Sequence, residues 1–188
     1  MTQAPTDREN LPVELVDEAG RAVGTCPVSV AHTAPGLLHR AFSVLLFDDA
    51  GRMLLQQRAA VKTRFPELWT NTCCGHPAPG EPVAAAAAVR LAEELGLATE
   101  LTEVGAFRYQ AGDPATGRVE YEWDHVLVGT LVGAVPQPDP AEVADWAWIM
   151  PDALRDALAT DPSGYTPWLP GVLDVIEAGA GKHRLSRT

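Results

Sequence analysis

The chain has 188 residues, of which 46% are hydrophobic and 21% charged, a composition typical of a globular protein that folds as one domain. Acidic residues outnumber Lys and Arg by 25 to 14, and the resulting net charge of −11 repels nucleic-acid backbones and anionic lipid. Wholesale disorder and a fibrous architecture are therefore excluded, and nucleic acid is not expected as a partner.

The cysteines and the N-terminus predict a reducing, cytoplasmic location. The three cysteines, Cys26, Cys73 and Cys74, are odd in number, and the adjacent pair is too close to bridge in ordinary geometry. No stretch is apolar enough to span a bilayer, and the N-terminus lacks the basic start and apolar run of a signal peptide. We therefore expect a cytoplasmic protein that binds no membrane and is a monomer or a weak dimer.

Turn residues between apolar segments predict two β-hairpins in the first third of the chain. Residues 1–11 are polar and aperiodic, and we expect them to form a disordered tail before a single domain over residues 12–178. Segments 13–16 and 21–28 flank a turn at 17–20, and segments 41–47 and 52–58 flank a turn at 48–51. A second, basic tail is expected over residues 179–188.

The most regular segment, residues 82–95, predicts a helix. It begins at Pro82, contains five successive alanines and stops before Gly96, which is the order of Pro and Gly typical of helix ends. Strands are expected over 101–110 and 118–132 around a turn at 112–114, and another strand runs through 146–149. Helices are expected near 152–159 and 168–178, so the fold class is α+β.

Three histidines lie in segments that loops could bring together. His32 and His39 are separated by a loop with a Pro-Gly pair, and His76 follows Cys74 and Gly75 in Trp-Thr-Asn-Thr-Cys-Cys-Gly-His-Pro. Two unrelated loop histidines would explain the first segment alone. An inert buried cysteine beside a surface histidine would explain the second.

Two glutamates alternate with bulky residues near position 120. In a strand, Glu120 and Glu122 project from one face and their bulky neighbours from the other. Alone, such a face is usually the solvated side of a sheet. Together with the three histidines it is a plausible octahedral ligand set for Mn, Zn or Fe, because adjacent carboxylates favour a cation between them.

The segment from Gly75 to Leu97 has the spacing of the Nudix box, a loop, helix and loop whose acidic residues hold Mg²⁺ against a diphosphate. Where that box has Arg-Glu, this chain has Val89-Arg90, so one metal-binding glutamate of the Nudix hydrolases is missing. Arg90 and Glu94 are four residues apart and could simply pair on a helix. The missing glutamate argues against diphosphate hydrolysis, but the motif is still expected to bind a diphosphate.

These motifs together resemble those of the type I isopentenyl-diphosphate isomerases. The resemblance covers roughly residues 15–178 and includes Ala-His-Thr, Leu-His-Arg-Ala-Phe, the Cys-Cys-Gly-His-Pro segment, Glu-Leu-Gly after the helix, and Glu-x-Glu continuing into Asp-His. It implies a Nudix-like α/β/α sandwich with a mixed β-sheet, an N-terminal β-hairpin extension and C-terminal helices. It also implies interconversion of isopentenyl and dimethylallyl diphosphate through a tertiary carbocation, in isoprenoid biosynthesis.

The resemblance implies catalytic roles for four residues. Cys74 is the expected thiol, whereas Cys73 is expected only to pack. Glu122, helped by Tyr109, is the expected proton donor. Trp168 is expected to stabilise the cation through its indole face and, with Trp69 and Tyr109, to exclude water.

Two metal sites and an anion site are also implied. Mn²⁺ or Zn²⁺ would be bound by His32, His39, His76, Glu120 and Glu122. Mg²⁺, held by Glu94 and the backbone carbonyl of Cys74, would bridge to the substrate diphosphate, and the expected anion contacts are Arg58, Lys62 and Arg90. Val28 stands where some family members have a lysine, so diphosphate binding is expected either to be weaker or to use another basic residue.

Two other functions fit parts of the sequence. A Nudix-type diphosphate hydrolase would share the fold and Mg²⁺ but would have no use for Cys74 or the histidines. A non-catalytic metal- or diphosphate-binding module would use the same side chains only to hold its ligand.

Overall fold

A computed structural model describes the backbone from Arg8 to Leu185 and the side chains as far as Gly179. The tail predictions for residues 1–7 and 186–188 lie outside the described residues. The elements are, in chain order, β1 (Pro12–Val16), β2 (Ala22–Pro27), α1 (Val28–Ala31), β3 (His39–Phe47), β4 (Met53–Arg58), β5 (Trp69–Thr70), β6 (Cys73–Gly75), α2 (Val83–Leu95), β7 (Thr102–Gly112), β8 (Val119–Thr130), β9 (Val143–Ile149), α3 (Pro151–Thr160) and α4 (Leu169–Leu185).

The first predicted hairpin is confirmed, but the expected N-terminal tail is too long. Strands β1 and β2 pair antiparallel, and β1 continues the sheet onto β3. Ahead of β1, Arg8–Asn10 form a 3-10 turn. Arg8 pairs with Glu93 at 2.8 Å and Glu9 pairs with Arg64 at 2.7 Å, and these ion pairs connect the turn to the rest of the domain.

The second predicted hairpin is only partly confirmed. Its turn forms, because the Asp48 carboxylate accepts hydrogen bonds from the backbone N–H groups of Ala50 and Arg52. Beyond the turn, β3 and β4 pair only at Phe47 and Met53. The strands then diverge: β3 pairs with β8 in parallel and with β6 antiparallel, whereas β4 pairs with β9.

The mixed sheet is covered on both faces, as the α+β, α/β/α expectation requires. Five hydrogen-bonded strands follow the order β2-β1-β3-β4-β5. Strands β6 and β8 also pair with β3, β7 pairs with β8, and β9 pairs with β4. On one face α2 packs Leu91 and Leu95 against the alternate β3 residues, which include Phe42 and Val44. On the other face α3 and α4 cover Leu45 with Leu154 and other apolar side chains.

The predicted C-terminal end is correct for helix α2 and wrong for helix α4. Helix α2 ends at Gly96, whose φ of 63° is the left-handed conformation that favours glycine, as predicted. Helix α4 continues to Leu185, so the expected end near residue 178 is too early. Gly171 lies against the Phe107 ring, and a Cβ there would be 2.4 Å from it. Glycine in α4 therefore permits close packing on β7 instead of ending the helix.

No helix in the part of the chain between Arg8 and Leu185 is long and apolar enough to cross a bilayer.

Candidate active site

An open cleft of about 1020 Å³ lies where β6, β7 and β8 meet α2 and the loop between β4 and β5. Sequence-predicted residues that line it are Arg58, Lys62, Cys74, His76, Arg90, Tyr109, Glu120, Glu122 and Trp168. His32 and His39 are fully buried beside it. Trp69 packs instead in the cluster around Leu45, so its expected role in the wall of the cleft is wrong.

The acidic face of β8 points inward, opposite to the solvated face that is usual for such a pattern. Glu120 and Glu122 are buried, whereas the alternating Val119, Tyr121 and Trp123 are half-buried. Strand β8 is paired on both edges, with β3 and β7, so its inward side chains have little access to water. The alternation continues to Asp124, also buried, which the sequence prediction passed over although the pattern extends to it.

Five candidate ligands converge beside β8. One nitrogen or oxygen atom from each of His32, His39, His76, Glu120 and Glu122 lies within 4.8 Å of every other. Neighbouring elements supply them: His32 follows α1, His39 begins β3, and His76 follows β6. The parallel β3–β8 register places His39 opposite Glu122. The predicted convergence of the five residues is therefore present.

The hydrogen bonds of two imidazoles suit metal binding. His32 Nδ1 lies 3.1 Å from the carbonyl oxygen of Val119, and His39 Nδ1 lies 2.7 Å from that of Leu37. A carbonyl only accepts, so each Nδ1 carries the hydrogen and each Nε2 keeps a lone pair. Among the described side chains, both Nε2 atoms and Glu120 Oε2 are buried without a hydrogen-bond partner. Such orphaned acceptors fit a divalent cation.

The imidazoles of His32 and His76 are neutral in this environment. Burial lowers the pKa of His32 far below its ordinary value, and the charge of neighbouring groups adds to the effect. Burial also lowers the pKa of His76 to about 4, although Glu122, 2.9 Å from its Nε2, opposes the shift. Neutral imidazoles are the form that binds metal ions.

The pKa values of the two glutamates shift in opposite directions. Burial alone would raise the pKa of Glu122, but interactions with His39 and His76 hold it well below its usual range. Burial, and then the charge of Glu122, raise the pKa of Glu120, and Arg64 opposes this shift. Two buried carboxylates repel each other when both are ionised, and a divalent cation between them would remove that penalty.

The Cys74 thiol sits in a polar pocket on the other side of β3. Its Sγ lies 3.2 Å from Asn71 Nδ2 and 3.7 Å from Ser43 Oγ, and Ser43 donates to Asp124 at 2.7 Å. Burial, and then the charge of Asp124, raise the pKa of Cys74 to about 12, so the group is a neutral thiol. Cys73 is fully buried in the core under α2, which confirms its packing role.

Two aromatic residues, through hydrogen bonds and a ring contact, connect Glu122 with the surroundings of Cys74. Tyr109 Oη donates to Glu122 Oε2 at 2.5 Å, and the Tyr109 and Trp168 ring centroids are 5.9 Å apart. Trp168 Nε1 donates to Asn71 Oδ1 at 3.1 Å, and Asn71 also contacts the Cys74 thiol. Asn71 lies inside the Trp-Thr-Asn-Thr-Cys-Cys motif but was not among the predicted site residues.

The predicted anion contacts are all engaged by groups of the protein. Lys62 and Arg90 both pair with Glu142, which immediately precedes β9. Burial would raise the pKa of Glu142, but Lys62 and then Arg90 lower it to about 2. Arg58 donates to the Arg64 carbonyl oxygen at 2.7 Å, and its guanidinium carbon lies 5.6 Å from the Trp168 ring centroid.

The predicted Mg²⁺ ligand Glu94 is buried and bound within the protein. Its carboxylate accepts hydrogen bonds from Arg90 and from Gln56, the second at 2.8 Å. The helical pair that the spacing allowed is therefore formed. Val28 also lines the cleft, and the lining includes two basic residues that the sequence prediction missed, Arg8 and Arg64.

Comparison with known proteins gives a consistent result. The family described as NUDIX domain matches residues 37–169. A Nocardia farcinica protein named isopentenyl-diphosphate Delta-isomerase is 71% identical over 89% of this chain and 95% of its own length. A protein of the same name from Halorhodospira halophila is 47% identical over 83% of this chain and 89% of its own length.

Solved structures share the fold at much lower identity. DR0079 from Deinococcus radiodurans superposes with a TM-score of 0.69 at 20% identity, covering 87% of this chain and 97% of that one. At that identity the likeness concerns the fold alone.

Proposed function

The chain belongs to the NUDIX family and, within it, to the isopentenyl-diphosphate Delta-isomerases, and from that premise we propose how its cleft moves a double bond. The enzyme is an isomerase of isoprenoid biosynthesis that acts on a small-molecule diphosphate. We propose that it interconverts isopentenyl and dimethylallyl diphosphate by adding a proton on one side of the substrate and removing another from the opposite side.

The chemistry requires two proton-transfer groups. A C–H bond forms at the terminal alkene carbon and another breaks at the carbon on the other side of the alkene, so no proton is gained or lost overall. An alkene is a poor base, so the reaction needs a strong acid and a stabilised tertiary cation. Water must also stay away from that cation, because it would convert the cation to an alcohol.

The placement of Cys74 and Glu122 on opposite sides of β3 is the observation that carries the proposal. In the sheet, Cys74 on β6 is opposite Ser43 of β3, whereas Glu122 on β8 is opposite His39. Both residues line the same cleft. A five-carbon alkene bound between them would have one proton-transfer group on each side.

Glu122 is the proposed proton donor, with Tyr109 as its partner. The imidazoles that lower the pKa of Glu122 make its protonated form a stronger acid, which an alkene requires. Burial raises the pKa of Tyr109, so its phenol stays protonated and donates to Glu122. This hydrogen bond orients the carboxyl group towards the cleft.

Cys74 and Trp168 are proposed to serve the other side of the substrate. For the protons to balance, the neutral thiol first gives up its proton and Glu122 gains one. The resulting Cys74 thiolate then takes up the proton that leaves the cation, and the same transfers run backwards in the reverse direction. The indole of Trp168, buried and fixed by Asn71, offers a π face to the positive charge, an attraction of ~2 kcal/mol when desolvated. Tyr109 and Trp168 together keep water from the cation.

Basic residues that line the cleft are proposed to hold the diphosphate. Lys62 and Arg90 would exchange Glu142 for the diphosphate, while Arg58 keeps its carbonyl partners and adds positive charge. A divalent cation on the five ligands would neutralise the glutamate pair, and Mg²⁺ on Glu94 and the Cys74 carbonyl would offset the diphosphate charge.

An exchange experiment in D₂O tests the proposal. The enzyme is incubated with isopentenyl diphosphate, and deuterium in both prenyl diphosphates is followed by NMR and mass spectrometry. We expect label in product and in recovered substrate, since protonation is reversible. Release of phosphate without label would instead support a diphosphate hydrolase. The Arg90–Glu94 pair at the position of a Nudix-box glutamate disfavours that alternative.

Cytoplasmic location and a monomeric or weakly dimeric state stay predictions.

A further inference from the structure

A half-buried arginine outside every recognised motif lies against the ligand cluster. Arg64, in the loop between β4 and β5, lines the cleft, and 12% of its side chain is exposed. Its Nε lies 3.2 Å from Glu120 Oε1, and its Nη1 lies 2.7 Å from Glu9 Oε1. Arg64 therefore connects one candidate metal ligand to the 3-10 turn at the start of the domain.

The charge of Arg64 extends beyond this one contact. Through its contact with Glu120, whose ligand oxygen lies within 4.8 Å of a ligand atom of each of the other four candidates, its guanidinium is next to the whole cluster. Burial strengthens such interactions because little water screens them. A fixed positive charge is thus part of the surroundings of the whole cluster.

We propose that Arg64 is a positioning residue of the metal centre, which holds Glu120 in place and limits how tightly the cluster binds a divalent cation. The inference rests on the metal site of the proposed function. A cation bound by Glu120 would share that carboxylate with the guanidinium, and the two positive groups repel each other.

Substitution of Glu9 is expected to change cation binding in the opposite direction to substitution of Arg64, which gives a second test. The Glu9 carboxylate offsets part of the Arg64 charge through Nη1, whereas Glu120 contacts Nε. When Glu9 is neutralised, the full charge of Arg64 acts on the cluster, and cation binding should weaken. A purely structural role for Arg64 gives no reason for the two substitutions to act in opposite directions.

Titration of Mn²⁺ into chelator-stripped, full-length protein, followed by calorimetry at neutral pH, tests the inference. We expect Arg64→Gln to bind Mn²⁺ about tenfold more tightly than the unmodified protein, and Glu9→Gln to bind it about two- to fivefold more weakly. Arg64→Lys keeps the charge and should stay close to the unmodified protein. Arg108→Gln, which removes an exposed arginine paired with Glu18, is the control for net charge and should change nothing.

The outcomes separate this inference from the proposed function. If the unmodified protein binds Mn²⁺ and Arg64→Gln binds it equally or more weakly, the inference is wrong and the metal site stands. If the unmodified protein binds no Mn²⁺, the metal site itself is wrong and the inference falls with it. Should Arg64→Gln fail to fold, the Glu9→Gln variant decides, because unchanged or tighter binding there also contradicts the inference.

Discussion

Replacing Glu142 with glutamine should reduce stability and increase diphosphate affinity in the same variant. The Glu142 carboxylate pairs with Lys62 and Arg90, and its Oε1 lies 3.5 Å from Arg8 Nε. These cations line the cleft, where the diphosphate is proposed to bind. Glutamine keeps the shape of the side chain and removes only its charge.

The pKa of Glu142 sets the size and the sign of the stability effect. Lowering a carboxyl pKa from 4.5 to about 2 corresponds to ~3 kcal/mol of stability at most. Water reaches part of this carboxylate, so we expect about 1–2 kcal/mol. Because the folded-state pKa is lowered, the contribution is complete above pH 4.5 and is lost as the pH falls towards 2.

Two measurements check this prediction. Urea unfolding should show Glu142→Gln to be less stable than the unmodified protein at neutral pH, with a smaller difference near pH ~3. Calorimetry with magnesium pyrophosphate should show roughly three- to tenfold tighter binding, because Lys62 and Arg90 no longer have to leave a carboxylate. Glu100→Gln, at an exposed position, is the control. A stability difference that is equal at both pH values, or weaker pyrophosphate binding, would refute the reasoning.

Four further substitutions test the chemistry and the packing. Cys74→Ala should abolish turnover and leave magnesium pyrophosphate binding largely intact, as measured by product NMR and calorimetry. Glu122→Gln should lose activity more completely than Glu120→Gln in the same turnover assay, because only Glu122 is both a proposed ligand and the proposed proton donor. Gly171→Ala places a methyl group 2.4 Å from the Phe107 ring and should lower the free energy of unfolding in urea by about 1–3 kcal/mol.

Matched variants control these substitutions. Cys26→Ala removes a thiol on β2, away from the cleft, and should leave turnover unchanged. Gly164→Ala adds a methyl group where no heavy atom lies within 4 Å, and should leave stability nearly unchanged. Near-normal turnover of Cys74→Ala would remove the thiol from the mechanism. Equal losses in the two glutamate variants would favour a purely metal-holding role, and an unchanged Gly171→Ala would show that Phe107 moves freely.

Local patterns in the sequence were sufficient for most elements and for the membership of the ligand cluster. Helix α2 begins after Pro82 and ends at Gly96, as predicted, because backbone preferences at these residues act over a few positions. The same holds for the turn at Asp48, whose side chain bonds to nearby backbone groups. Motif resemblance brought together histidines and glutamates that are distant in the chain, and the structure places them in one cluster.

Only the tertiary structure decided which faces and partners these elements have. Alternation along β8 shows that Glu120 and Glu122 share a face, but the face is buried because β3 and β7 pair on either side. Such pairings join residues far apart in sequence, and no local pattern encodes them. For the same reason Arg64 and Glu142 were not found from the sequence. Each is an ordinary charged residue in a loop, and its importance comes from the charges that the fold places around it.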